Sequence, residues 1–153
     1  MKRIFCRMCL ILLLSLALTG CGKTEGLHDG YYTAQASEYN FGWKEYITIM
    51  VKGGNIVSVE YNAENPSGFI KSWDNVYMQN MLHSTDTYPN EYTRYYAGQF
   101  LEGQGKDEID ALSGATSSYG SFQKLMDAVL EQAQKGDSSI AYVDMTRASV
   151  TTP

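Results

Sequence analysis

Cysteine, histidine and proline are all scarce in this 153-residue chain, with three, two and three residues respectively. The histidines, His28 and His83, stand far apart, and no acidic cluster lies at ligand spacing, so no metal site is expected. There is no GxSxG elbow and neither histidine has an evident positioning partner, which leaves serine-hydrolase chemistry unsupported. Basic charge is also in short supply: 12 Lys and Arg stand against 17 Asp and Glu, for a formal net charge of −5. Lys2, Arg3 and Arg7 fall in the N-terminal leader, so the remainder carries 9 − 17 = −8. Such a surface excludes nucleic-acid binding and suits anionic headgroups poorly. Long apolar runs are missing too, since the longest, CLILLLSLAL from Cys9, is too short to span a bilayer comfortably.

That run, with its basic flank, has the form of a secretory signal. It ends at Leu18-Thr19-Gly20-Cys21, which resembles the lipobox of bacterial lipoproteins. The resemblance implies cleavage before Cys21 and attachment of diacylglycerol to its sulfur. Cys6 and Cys9 leave with the leader, so the mature chain has no pair from which to form an internal disulfide. The remaining 153 − 20 = 133 residues fold on apolar burial alone, enough for one modest core. The expected division is a leader over 1–20, a lipid-anchored spacer over 21–28 that keeps His28 exposed, a domain over 29–145 and a loose tail over 146–153.

Within the domain, Gly30 to Ala36 is β-favouring and aromatic, and predicts a first strand. A hairpin follows, with Trp43 to Val51 and Ile56 to Tyr61 alternating around a Gly53-Gly54 turn. Apolar residues on both faces between Ile47 and Val51 predict a central strand covered on each side. Trp73, Val76, Tyr77, Asn80 and Met81 fall at helical spacing behind Ser72 or Asp74 as cap, and a further helix is expected to start near Pro89. Tyr92, Tyr95, Tyr96, Gln99 and Phe100 lie on one side of it. The last long segment is the most periodic: Phe122, Leu125, Met126, Val129, Leu130 and Ala133 make one apolar stripe, with Gln123, Lys124, Asp127, Glu131, Gln132 and Gln134 facing away and Gly136 as the terminating residue. Ile140 to Val143 predicts an edge strand. The whole reads as a single α+β domain, a small antiparallel sheet with helices packed on it.

Directly before the long helix stands Asp110-Ala-Leu-Ser-Gly-Ala-Thr116. A helix start exposes unpaired amides at the positive end of its dipole, and a phosphate can sit there. Gly114 lets the backbone approach closely, Ala115 adds little bulk, and the hydroxyls of Ser113, Thr116, Ser117 and Ser118 can bond a phosphate or simply cap the helix. These residues by themselves leave open whether the corner is a ligand site or a serine-rich cap. The aromatics between Trp73 and Phe100 are likewise open to two readings, core filling or flanks for a flat ring, with Lys71 and His83 as candidate positive charges.

DALSGAT matches the DxxSGAT pattern of the FMN-binding domain family, found in flavoprotein subunits of sodium-pumping quinone reductases and Rnf-type complexes and in small extracytoplasmic lipoproteins. The resemblance extends upstream through DGYYTA at Asp29 and the hairpin, and covers roughly residues 29 to 136. It implies that Thr116 carries FMN through a phosphoester made by a dedicated flavin transferase, and that Asp110 belongs to the signal this transferase reads. It implies further an electron carrier tethered to the bilayer through Cys21, between a membrane donor and an extracytoplasmic acceptor. Two other function classes fit the residues: a non-redox surface interaction lipoprotein, and a reductase that binds FMN non-covalently.

Overall fold

The computed structural model describes residues 26–146. Three strands come first, β1 (Gly30–Ala36), β2 (Lys44–Lys52) and β3 (Asn55–Glu64). A 3-10 turn at Lys71–Trp73 leads to the helices α1 (Asn75–Thr85), α2 (Pro89–Glu102) and α3 (Thr116–Lys135), and β4 (Ala141–Val143) is the last element among the described residues. The sheet order is β3-β2-β1-β4, with β1, β2 and β3 antiparallel and β4 parallel to β1. Gly53 and Gly54 both have positive φ, 60° and 73°, which is what a two-residue hairpin turn matching the strand twist demands.

The sheet buries one face. Tyr32, Ala34 and Ala36 from β1 and Ile47, Ile49 and Val51 from β2 are all buried, with Ala34 opposite Ile47 and Ile47 opposite Tyr61. Tyr46, Thr48 and Met50 on the other face of β2 stay half-exposed, so the expected covering of β2 on both sides does not occur. The period of two decides this: both α2 and α3 pack on the Ile47–Tyr61 side, through ring contacts from Tyr96 and Phe122 to Tyr61. On the open face Thr33 and Thr48 hydrogen-bond across the strands at 2.9 Å.

Helix α3 buries Phe122, Leu125, Val129 and Ala133 as its periodicity predicts, and ends at Gly136 in the left-handed region, φ 68°. Gln132 departs from the expectation. It is buried, and its amide donates to the Ser139 carbonyl at 2.8 Å, fastening the turn that leads to β4. Helix α2 begins at Pro89 and buries Tyr92, Tyr96 and Phe100 on one side. Helix α1 is different. Asp74 caps it, accepting from the Tyr77 amide at 2.9 Å, yet none of its residues is buried; Trp73 precedes it at 67% exposure, and Val76 is 70% exposed. The helical spacing there marks a real helix, of whose stripe Met81 packs against the core while Trp73 and Val76 stay exposed.

At the amino end, His28 is exposed as expected, but its N–H donates to the Ala133 carbonyl at 2.9 Å and Leu27 packs against the core. Leu27 and His28, placed in the spacer by the sequence, therefore contact the domain. Cys21, the leader and nearly all of the expected tail lie outside the described residues. Among the described residues, no helix is long and apolar enough to cross a membrane and no group of side chains could hold a metal ion.

Candidate functional site

The loop carrying DALSGAT is held by tyrosines rooted in the core. Tyr119 donates its hydroxyl to the Ile109 carbonyl at 2.5 Å. The Leu112 amide donates to the Tyr96 hydroxyl at 3.0 Å. Tyr96 is fully buried and stacks on Phe122, ring centroids 5.2 Å apart and planes inclined by 22°, so the clamp on the loop is continuous with the packing of α2 on α3. Burial raises the pKa of Tyr96, which keeps its hydroxyl protonated. Nothing in the local sequence marks either tyrosine as a loop anchor, because the contacts span sixteen and ten residues.

Gly114 is needed at two levels. Its φ is 79°, and a Cβ there would lie 2.3 Å from the Thr85 carbonyl oxygen and 3.0 Å from Thr87 Cγ2. The close approach expected at this glycine thus exists, and is made to the end of α1. Ala115 is likewise a packing residue, 1% exposed.

The expected hydroxyl cap is absent. Ala115 is the N-cap of α3, no side chain accepts from the first-turn amides, and no acidic residue stands in that turn. Thr116 and Ser117 are exposed, and Ser118 is buried with its carbonyl accepting from the Tyr61 hydroxyl at 2.9 Å. The structure therefore presents the amides of Thr116, Ser117 and Ser118, the positive end of a 20-residue helix and the Thr116 hydroxyl in one exposed place. Asp110 and Ser113 are exposed on the loop before it.

Beneath this corner lies a polar and aromatic cluster. Burial raises the pKa of the Tyr92 hydroxyl, and the Lys71 charge opposes that rise. Tyr61, whose hydroxyl also lies 3.0 Å from Glu45 Oε1, has its pKa pushed well up by burial and then by the Glu45 carboxylate. The Lys71 ammonium sits 4.8 Å from the Tyr77 ring centroid and 5.9 Å from that of Trp43, and those two rings meet edge to face at 6.0 Å. Burial pulls the Lys71 pKa down, but Tyr92, Tyr77 and Glu45 outweigh it, and the net shift is upward, so the group is a cation at neutral pH. His83, the other candidate cation, is exposed in the last turn of α1.

A cavity of about 650 Å³ runs along β3 past Asn62, Ser72 and Arg94 and contains none of the motif residues. A shallower hollow of about 440 Å³ on α1 is lined by Tyr77, Asn80, Met81, Ser84 and Thr85. It reaches from Tyr77, beside Lys71, to Thr85, against which Gly114 packs, and it too contains none of the motif residues.

The sequence profile of the FMN-binding domain family matches residues 42–131, more than half of the chain and inclusive of the whole motif. The chain belongs to the FMN-binding domain family. A 15 kDa lipoprotein of Treponema pallidum is 31% identical over 121 residues, 78% of this chain and 86% of that one. The crystal structure of a Clostridium perfringens protein superposes with a TM-score of 0.73 at 33% identity, over 77% of this chain and 98% of that one. FMN is the cofactor of this family, and the corner at Thr116 fits it: the first-turn amides carry no cap, no acid opposes a phosphate, and the adjacent hollow is partly aromatic.

Proposed function

We propose that the protein is an extracytoplasmic, lipid-anchored flavoprotein that carries FMN on Thr116 through a phosphoester and passes electrons from a membrane donor to an acceptor outside the cytoplasm. The observation that carries this reading is the exposed Thr116 hydroxyl at the first position of an uncapped helix, at the end of a complete DxxSGAT motif. A flavin transferase needs a hydroxyl it can reach, and Thr116 offers one. The bound flavin supplies one- and two-electron transfer, which none of the side chains can perform. The amides of Thr116, Ser117 and Ser118 hold the phosphate, Gly114 and Tyr96 keep the loop in place, and Asp110 remains accessible for recognition by the transferase.

Anchoring draws support from the lipobox-like LTGC at Cys21 and from the lipoprotein relative. The chain enters the domain beside the carboxyl end of α3, where His28 bonds Ala133, whereas Thr116 stands at the other end. Twenty residues of helix separate the two poles by roughly 30 Å, so a tether at Cys21 leaves the flavin on the pole directed away from the bilayer. Covalent attachment suits this placement, because a flavin released outside the cell is lost by dilution.

Thr116→Val tests the reading. Protein made with the transferase should keep yellow absorbance after denaturation and show the mass of FMN less one water, and the variant should show neither. Because Thr116 caps nothing, the variant should stay folded within about 0.5 kcal/mol of the parent. Flavin that survives denaturation in the variant would move attachment to a neighbour such as Ser117. A parent that takes up FMN only reversibly is a non-covalent flavoprotein, and one that never takes it up is an interaction lipoprotein.

A further inference from the structure

Asp110 and Thr116 are exposed, yet the backbone that carries them is fastened at defined points. Tyr119, in the first turn of α3, donates its hydroxyl to the Ile109 carbonyl at 2.5 Å, directly before Asp110. The Leu112 amide donates to the Tyr96 hydroxyl at 3.0 Å, directly after Ala111, and that hydroxyl reaches the Ala115 carbonyl at 3.5 Å. Asp110 and Ala111 are thus a short exposed stretch between two anchored peptide groups. From Leu112 the chain makes a four-residue turn, closed by the Ala115 amide on the Leu112 carbonyl at 3.1 Å. Gly114 stands third in it at φ 79°, where a type II turn takes glycine. Tyr96 therefore bonds the first amide and the last carbonyl of the turn that delivers Thr116.

The core needs the two rings and makes no use of the two hydroxyls. The Tyr96 ring packs against Tyr61, Tyr119 and Phe122, contacts that a phenylalanine would keep. Apart from the Gln123 side chain, which donates to Tyr119 at 2.8 Å, the hydrogen-bond partners of both hydroxyls lie within 109–115. Tyrosine rather than phenylalanine at these two positions is therefore explained by the loop.

We propose that Tyr96 and Tyr119 are positioning residues for flavin attachment, holding Asp110 and Thr116 at one fixed spacing so that a transferase meets both together. This rests on the reading of Thr116 as the attachment residue and adds to it what sets the geometry of recognition. Joining FMN to a threonine with loss of water is unfavourable in water, so the donor is a flavin phosphoanhydride such as flavin adenine dinucleotide. The Thr116 oxygen bonds to the flavin phosphorus, the anhydride bond to the departing adenosine monophosphate breaks, and the hydroxyl proton passes to solvent. Neither tyrosine enters that exchange. They act through the backbone, by keeping the loop in the shape the transferase binds, which spares the complex the cost of ordering it. A loop that holds this shape for less of the time binds more weakly in proportion, with the bound complex unchanged.

The test follows loading of the full flavin-free chain by its transferase and flavin adenine dinucleotide, read by intact mass over a range of chain concentrations. Tyr119→Phe and Tyr96→Phe should each raise KM about threefold and the double variant about tenfold, with kcat within about twofold of the parent. Hydrogen exchange at the Leu112 amide should quicken in Tyr96→Phe, while the amides of Leu125 and Val129 in the middle of α3 keep their protection. Folded variants that load with the parent's KM overturn the proposal, as does a loss confined to kcat, which would put a hydroxyl in the chemistry itself. If Tyr96→Phe does not fold, Tyr119→Phe decides alone, since Tyr119 is only half-buried. A parent that gains no flavin mass removes the attachment reading and the proposal with it, whereas a parent and variants that load alike remove the proposal only.

Discussion

The two sides of the motif corner are built on opposite terms. On one side, α2 and α3 bury Tyr92, Tyr96, Phe100 and Phe122 completely, and Tyr96 reaches from that packing to hold the Leu112 amide. On the other side, α1 buries no residue, and leaves Val76 in water. The motif corner is therefore held by the core, whereas the helix beside the hollow contributes no buried residue to it. Stability and cofactor environment are separable in such a design, since they draw on different residues.

The largest break comes from the core side. Phe122→Ala removes a ring that stacks on Tyr96 and meets Tyr61 and Phe100, and should lower unfolding free energy by about 3–5 kcal/mol in urea titration, with loss of flavin loading. A loss under about 1 kcal/mol would remove the contrast between the two sides. Next is the seam between them. Gly114→Ala adds a methyl 2.3 Å from the Thr85 oxygen at a φ of 79°, so the loop or the end of α1 must shift. The left-handed conformation alone disfavours alanine by about 1–2 kcal/mol, and thermal melting should report at least that, together with reduced covalent flavin by mass. Smallest is the outer wall: Val76→Ser should alter stability by no more than about 0.5 kcal/mol in the same melt, leaving loading intact. A larger effect would show that Val76 is covered in the mature protein.

Elements whose evidence is local were legible. The β1 and hairpin segments follow from alternation and the Gly53-Gly54 turn, α2 from Pro89 and the Tyr92–Tyr96–Phe100 spacing, and α3 from its stripe and Gly136. The motif, too, is a contiguous string, so Asp110, Ser113, Gly114, Ala115, Thr116, Ser117 and Ser118 could be picked out together. Their roles separated only in three dimensions, where Ala115 and Ser118 turn inward while Thr116 and Ser117 face water. Lys71 was one candidate cation of two, and only the structure separated them, with Lys71 half-buried over the Tyr77 ring and His83 exposed.

What the sequence determined by itself is the fold class, the long helix and the family, because each is written in neighbouring residues or in a period of two or 3.6. The tertiary structure alone decided that Tyr96 holds the loop and that Gly114 is pressed against Thr85. Each of these is a contact between residues distant along the chain, made where the end of α1 and the buried face of α2 meet the motif loop. Such a contact is determined by how the elements pack, and no short window of sequence contains both of its partners.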